Sequence, residues 1–286
     1  MTGTARDPEP AARAAPGRLV VCPTPIGNLE DVTLRVLAAL RDADLIACED
    51  TRRTRVLLDR YGVGAKLVSY HEHNERERAA ELVTRMREGR VVALVSDAGM
   101  PLVSDPGFVL VQACVAAGLA VEVLPGPSAV LSALVASALP ADRWRFVGFL
   151  PRRRSDLERV LSAPDTLVAF ESPRRLASTL AVLAELHPDR QAAVCRELTK
   201  VHEEVVRGSA TELAERFAAR EPRGEVVLVV GPAEARAPGA DIAPALDALR
   251  RLIDAGAKPR PAAAVVAELT GVGANALYRA LTRPGD

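Results

Sequence analysis

No charge of one sign dominates this chain: its 286 residues hold 37 Lys and Arg against 37 Asp and Glu, a formal net charge of zero. A global field drawing it to nucleic acid or to a membrane surface is thereby excluded, and any site for a polyanion must be built locally. Cysteine is sparse. Cys22, Cys48, Cys114 and Cys195 form no C-x-x-C pair and fall mostly in apolar runs, which reads as reduced core thiols and not as a zinc site. No run of twenty or more residues is free of charge, so no membrane-spanning segment is expected. Residues 1–17, rich in Ala, Pro and Arg, lack the apolar stretch of a signal peptide and read as the floppy tail of a cytoplasmic protein. Two nucleotide signatures are also missing. No G-x-G-x-x-G follows the first apolar run, where the turn reads Pro23-Thr24-Pro25-Ile26-Gly27-Asn28, and no G-x-x-x-x-G-K-[ST] occurs anywhere. Ordinary dinucleotide folds, P-loops and the common glycine-rich Rossmann methyltransferases lose their support.

What is present is a regular alternation of short apolar runs with amphipathic stretches, the pattern of an α/β protein whose mostly parallel sheet is flanked by helices. Strands are expected at 18–22, 43–48, 66–70, 91–95 and 120–124, with helices at 31–41, 51–60, 75–88, 107–117 and 127–138. A second series follows the Pro125-Gly126-Pro127 break: strands near 144–149, 166–171, 191–197, 201–207 and 225–231, helices near 152–161, 173–186 and 209–220. The close spacing over 191–207 leaves no room for a helix and predicts an antiparallel hairpin. Length allows two such cores and an appendage. The expected division is a tail over 1–17, an α/β domain over 18–124, a second over 125–232, and a small helical segment over 240–286 with helices at 241–255, 259–269 and 274–282. The last two resemble a helix-turn-helix, which serves equally as a nucleic-acid reader or as a helical cap.

Three Gly/Pro turns close three of the expected strands: Thr24 to Asn28, Ser96 to Gly107, and Pro125 to Ala129. Loops at the carboxyl ends of strands are where open α/β sheets bind ligands. The middle loop carries Asp97 and Asp105 and no basic residue, which suits hydroxyls, amides or a cation better than phosphate. Arg52-Arg53, Arg152-Arg153-Arg154 and Arg174-Arg175 are candidate phosphate contacts, each of which is also readable as a solvated helix start. Glu197, Lys200 and Glu203 crowd the expected hairpin and are candidate acid/base groups, with Glu49, Asp50 and His202 as competitors. If that segment stays extended, Glu197 and Thr199 share one side and Leu198 and Lys200 the other. His71 and His73 lack a third convincing ligand, and no metal is expected. Trp144, in an apolar strand, is expected in the core.

Taken in order, Thr24-Pro25-Ile26-Gly27-Asn28-Leu29, Cys48-Glu49-Asp50-Thr51-Arg52, His71-Glu72-His73-Asn74-Glu75, the Ser96 to Gly107 loop, Pro125-Gly126-Pro127-Ser128-Ala129, Glu171-Ser172-Pro173-Arg174-Arg175 and Arg196-Glu197-Leu198-Thr199-Lys200 resemble the ribosomal RNA small subunit methyltransferase I group of the tetrapyrrole methylase superfamily. The resemblance runs from about Arg18 to Pro232. It implies two α/β domains with an active-site cleft between them, S-adenosylmethionine as cofactor, a homodimer, and 2′-O-methylation of cytidine 1402 in 16S rRNA of the small ribosomal subunit. By position it implies cofactor contacts at Pro25, Ile26, Asp97, Gly99, Met100, Ser104, Ser128, Ala129, Phe170, Glu171, Leu198, Thr199, Gly224 and Glu225, most firmly at Asp97 and Ser128-Ala129. The substrate partner would be 16S rRNA or the 30S subunit. A tetrapyrrole or protein-carboxylate methyltransferase, and a non-catalytic RNA-binding assembly factor, are the alternatives. The chain departs from the group at Ala274, where a Lys usually precedes the Asn-Ala-Leu-Tyr run.

Overall fold

The computed structural model describes residues 17–219, 222–233 and 242–282. All but Gly17 of the expected tail lies outside the described residues; Gly17 is buried and donates its N–H to the Met86 carbonyl at 2.8 Å. The first series forms β1 (Arg18–Cys22), α1 (Leu34–Asp42), β2 (Leu45–Cys48), α2 (Thr51–Arg60), β3 (Leu67–Ser69), α3 (Glu75–Arg87), β4 (Val92–Val95), α4 (Phe108–Ala116) and β5 (Ala120–Val123). The strands make one parallel sheet in the order β3-β2-β4-β1-β5. Its two faces bury different helices. Val20, Cys22, Ile46 and Ala93 meet Leu37 and Leu40 of α1 and Leu57 and Leu58 of α2. Leu19, Val21, Ala47 and Leu94 meet Leu82 and Met86 of α3 and Leu110 and Cys114 of α4. Near-continuous apolar strands are what a sheet covered on both faces requires.

Adjacent β1 and β4 send their following connections to opposite sides, β1 across to β2 and β4 to β5, so their carboxyl ends mark the switch point of the sheet. A two-bond bridge between Thr24 and Gly99, 2.9 Å each way, locks the two loops together there.

The second series comprises α5 (Ala129–Ser137), β6 (Trp144–Phe149), α6 (Arg154–Leu161), β7 (Thr166–Glu171), α7 (Pro173–Leu186), β8 (Gln191–Arg196), β9 (Glu204–Ser209), α8 (Ala210–Ala218) and β10 (Val226–Val230). The sheet runs β6-β7-β10-β8-β9, parallel only between β6 and β7, and β8-β9 is the expected hairpin. Helices α6 to α8 cover one face. The other receives Val130, Ala133 and Leu134 of α5, together with Ile26 from the first sheet's leading loop, so the two sheets share a core at this point. Helices α9 (Ile242–Asp254), α10 (Pro259–Thr270) and α11 (Ala274–Thr282) pack as a small cluster around Leu249, Val266 and Leu277.

Several local expectations differ. The strand expected over 201–207 starts at Glu204, because residues 197–203 form a turn in which Lys200 N–H bonds Glu197 O and Glu203 N–H bonds Lys200 O, both near 3 Å. Alternation of side chains therefore does not apply to Glu197 through Lys200. The first helix starts at Leu34 and not at 31, since the Thr33 hydroxyl caps Val36 N–H after a 3₁₀ turn at Leu29–Asp31. Trp144 is on edge strand β6 and is exposed. Among the described residues no helix is long and apolar enough to cross a membrane, and no group of three or more His, Cys, Asp or Glu side chains is arranged to hold a metal ion.

Candidate active site

Between the carboxyl edge of the first sheet and the α5 side of the second lies a cavity of about 440 Å³. The first sheet supplies Ile26 and the β4–α4 loop, from which Ala98, Gly99, Met100, Val103, Ser104 and Asp105 face the space. That loop is bent by left-handed backbone at Gly99, Leu102, Ser104 and Gly107, with φ of 80°, 73°, 67° and 137°. Leu102 and Ser104 are not glycines, so each carries a backbone cost on the order of 1 kcal/mol. Internal bonds hold the shape: the Ser96 hydroxyl donates to Gly99 O and the Thr24 hydroxyl to Ser96 O, both at 3.0 Å. Ser128 and Ala129 bring the N-terminus of α5 to the cavity, with first-turn N–H groups suited to an anionic group.

The second sheet contributes Phe170 and Glu171 from the end of β7, Cys195 from β8, Leu198 from the turn, and Gly224 to Val227 at the start of β10. Gly224 is held at φ 89°, and a Cβ there would fall 2.3 Å from the Glu197 carboxylate. This close approach lets Glu197 Oε1 accept from Glu225 N–H at 2.9 Å and from Lys200 Nζ at 2.8 Å, while Lys200 also pairs with Glu225 at 3.0 Å. Hydrogen bonding from Lys200 and from the Glu225 backbone holds the Glu197 carboxyl below its ordinary range. Gly27 completes the junction, since a Cβ on it would stand 2.5 Å from Lys200 Cγ.

Eleven of the fourteen expected cofactor residues line the cavity; Pro25, Asp97 and Thr199 do not. Asp97 accepts from Asp50 N–H at 3.0 Å and pairs with Arg53 at 3.5 Å, tying the β4–α4 loop to the β2–α2 turn. The Thr199 hydroxyl accepts from Asn28 N–H at 3.1 Å and lies, with Glu197 and Lys200, in a second cleft beside the cavity. Glu203 is spent on Thr199 N–H at 2.6 Å. Glu171 lines the cavity but is fully committed: its side chain, with no exposed surface, accepts from Ser172 N–H and the Thr179 hydroxyl, both at 2.7 Å, and faces Arg175.

Of the arginines, Arg175 turns inward to the carbonyls of Leu150 and Pro151, at 3.1 and 2.7 Å, and fixes the start of α7. Its guanidinium is thus used within the fold. Arg52 is clamped on Asp50, and Arg154 on Glu158 and Glu185. Arg152, Arg153 and Arg174 are exposed and have no ion-pair partner among the described residues. His71 and His73 lie 6.0 Å apart, ring to ring, on the polar turn before α3.

Two cavity residues carry chemistry that sequence reading did not assign. Asp105 is partly buried, and its carboxyl is pushed up to about 6, first by desolvation and then by the nearby Glu49 and Asp97 carboxylates. Its signal was visible as the second acid of the loop. Phe149, 65% exposed, stands at the cavity. The lining therefore joins apolar walls to a carboxylate and a helix N-terminus, a set that fits a cationic, amino-acid-bearing nucleoside.

The profile of the family described as Tetrapyrrole (Corrin/Porphyrin) Methylases matches residues 18–214, both sheets except the last strand. The chain belongs to the tetrapyrrole methylase family. Among its relatives, "Ribosomal RNA small subunit methyltransferase I" of Mesorhizobium japonicum is 48% identical over 281 residues, covering 96% of this chain and 95% of that protein. The protein of the same name from Escherichia coli O157:H7 is 44% identical over 272 residues, covering 92% and 94%. Uroporphyrin-III-C-methyltransferase from Thermus thermophilus has a similar structure, with TM-score 0.55 and 26% identity over 75% of this chain and 94% of its own. Within the tetrapyrrole methylases the chain thus stands with the ribosomal RNA small subunit methyltransferases I, and it is a methyltransferase.

Proposed function

We propose that this tetrapyrrole methylase family member transfers the methyl group of S-adenosylmethionine to the ribose 2′-hydroxyl of cytidine 1402 in 16S rRNA. The observation that carries the reading is the cavity where loops of both sheets meet around a carboxylate, a helix N-terminus and apolar walls, in a chain related over nearly its whole length to methyltransferases of that name. We divide the chain accordingly into lobes over 18–124 and 125–232 and a helical segment over 240–286.

The cofactor, when bound, supplies a methyl group on a sulfonium cation. Gly99, Met100, Ser104, Ser128, Ala129, Phe170, Leu198 and Glu225 are the residues that would hold it, the small Gly99, Ser104, Ser128 and Ala129 permitting close approach to backbone groups. The buried walls exclude water, and orientation of the attacking oxygen supplies much of the rate. Asp105 takes the proton from the 2′-hydroxyl: it lines the cavity, whereas nearby Glu49 does not, and Glu171 is engaged within β7 and α7, Glu197 and Glu225 on Lys200, and Glu203 on the turn. Glu197 and Lys200, first read as acid/base candidates, instead brace the Gly224–Glu225 wall. Arg152, Arg153 and Arg174 supply phosphate contacts.

The enzyme acts in the cytoplasm on the 30S subunit or its rRNA, as a homodimer. Exposed apolar side chains on α4 (Phe108, Val115), edge strand β5 (Val123) and α5 (Leu131, Val135) support pairing of two copies; a monomer by sedimentation at micromolar concentration would remove it. The main reading is tested by incubating the protein with radiolabelled donor and 30S subunits from a strain lacking the gene. Label in 2′-O-methylcytidine is expected. Label in a porphyrinoid or in protein, or donor binding with no transfer, would replace the reading.

A further inference from the structure

Strand β6 contains one residue too many. It pairs with β7 in parallel register from Trp144↔Thr166 through Phe146↔Val168, and then resumes at Phe149↔Phe170, three residues on one strand against two on the other. Gly148, at φ 67°, absorbs the extra residue. Without the bulge, alternation would send Phe149 to the same face as Val147, which packs against the α6–α8 core. The bulge moves it to the opposite face with Phe146 and Phe170, the face that looks onto the cavity. The three rings form a short ladder, Phe146 to Phe170 at 5.0 Å and 71°, then Phe149 to Phe170 at 5.5 Å and 59°. Phe149 ends it and is left 65% exposed.

A phenylalanine carried out of an available core by a bulge forgoes the burial that a strand normally gives it. The chemistry of its surroundings says what could cover it. Within four residues the chain reaches Arg152 and Arg153, exposed and without ion-pair partners among the described residues, at the turn leading into α6. An open aromatic face beside free guanidinium groups is the combination by which proteins hold unpaired nucleotides, the ring stacking on the base and the cations meeting the flanking phosphates. We propose that Phe149 is the platform on which the base of the target nucleotide stacks when its ribose enters the cavity, with Arg152 and Arg153 on the adjoining backbone. This rests on the reading that RNA is the substrate.

The test compares Phe149→Leu, which keeps an apolar side chain but removes the π face, with Phe149→Trp, which retains it. Methyl transfer to 30S subunits gives KM and kcat, and calorimetric titration with S-adenosylhomocysteine reports the donor site. Phe149→Leu is expected to raise KM for 30S about tenfold while donor-site affinity stays within twofold of wild type, and Phe149→Trp is expected to restore KM. Two results would overturn the proposal: weaker donor-site binding with KM for 30S unchanged, which assigns the ring to the adenine of the donor, or wild-type values for both. A wild-type protein that labels no 30S nucleoside is a different failure, of the substrate reading itself, and removes the platform with it.

Discussion

Asp105 burdens the folded state at neutral pH. Its carboxyl is raised from the ordinary 3.8 to about 6 by burial and by Glu49 and Asp97, so between those values the unfolded chain gives up a proton that the folded chain keeps. Stability therefore falls as pH rises from about 4 to about 6, and the full cost persists above. The account predicts that Asp105→Asn raises the melting temperature at pH 7.5, that the gain vanishes below pH 4, and that methyl transfer drops at least a hundredfold. Paired melting curves and initial rates check this; unchanged turnover would remove Asp105 as proton acceptor. At this scale the sequence revealed residue types but not their commitments. Asp97 and Glu171 read as ligand carboxylates, yet one is tied to Asp50 N–H and Arg53, and the other is saturated by Ser172, Thr179 and Arg175. Which partner claims a carboxylate depends on chain segments brought together only by folding.

Elements were more legible, because periodicity and caps are local. The α2, β1, β6, β7, α7 and α11 boundaries coincide with those expected from pattern alone. Two of the misses fall where long-range contacts override propensity. Strand β2 starts at Leu45 and not at 43, with Asp44 engaged by Arg90 and by Val91 N–H at 2.9 and 2.8 Å, and the 197–203 turn is imposed by Gly27 and Gly224 lying against it. Arg190 shows the same principle. It is 5% exposed, yet among the described residues its guanidinium meets no carboxylate; it clasps the carbonyls of Leu161, Ala163 and Gly231, at 2.5, 2.7 and 2.8 Å, joining the ends of α6 and β10. Arg190→Met leaves three carbonyls without that donor and is expected to cost about 3 kcal/mol. A urea titration measures it. A loss under about 1 kcal/mol would show that water or neighbouring donors replace the clasp.

For the whole molecule, composition and alternation were enough to indicate an α/β architecture with two sheets and a helical segment, and the ordered motifs to indicate the family. A cleft between two α/β domains was expected from the sequence, but the way the cavity is closed was not legible, because it is made by contact between sheets: α5 follows the first sheet in the chain but packs on the second, and Ile26 reaches the same core. The bulge that presents Phe149 was equally hidden, since a one-residue slip leaves no mark in composition.

The central claim is that this shared cavity holds the methyl donor. Ala129, the first residue of α5, borders it, and Ala129→Trp would fill it while leaving the sheets untouched. Calorimetric titration with S-adenosylhomocysteine is predicted to show one site per chain in the wild type and no measurable binding in the variant, with circular dichroism unchanged. Equal affinity in the two proteins would contradict the account.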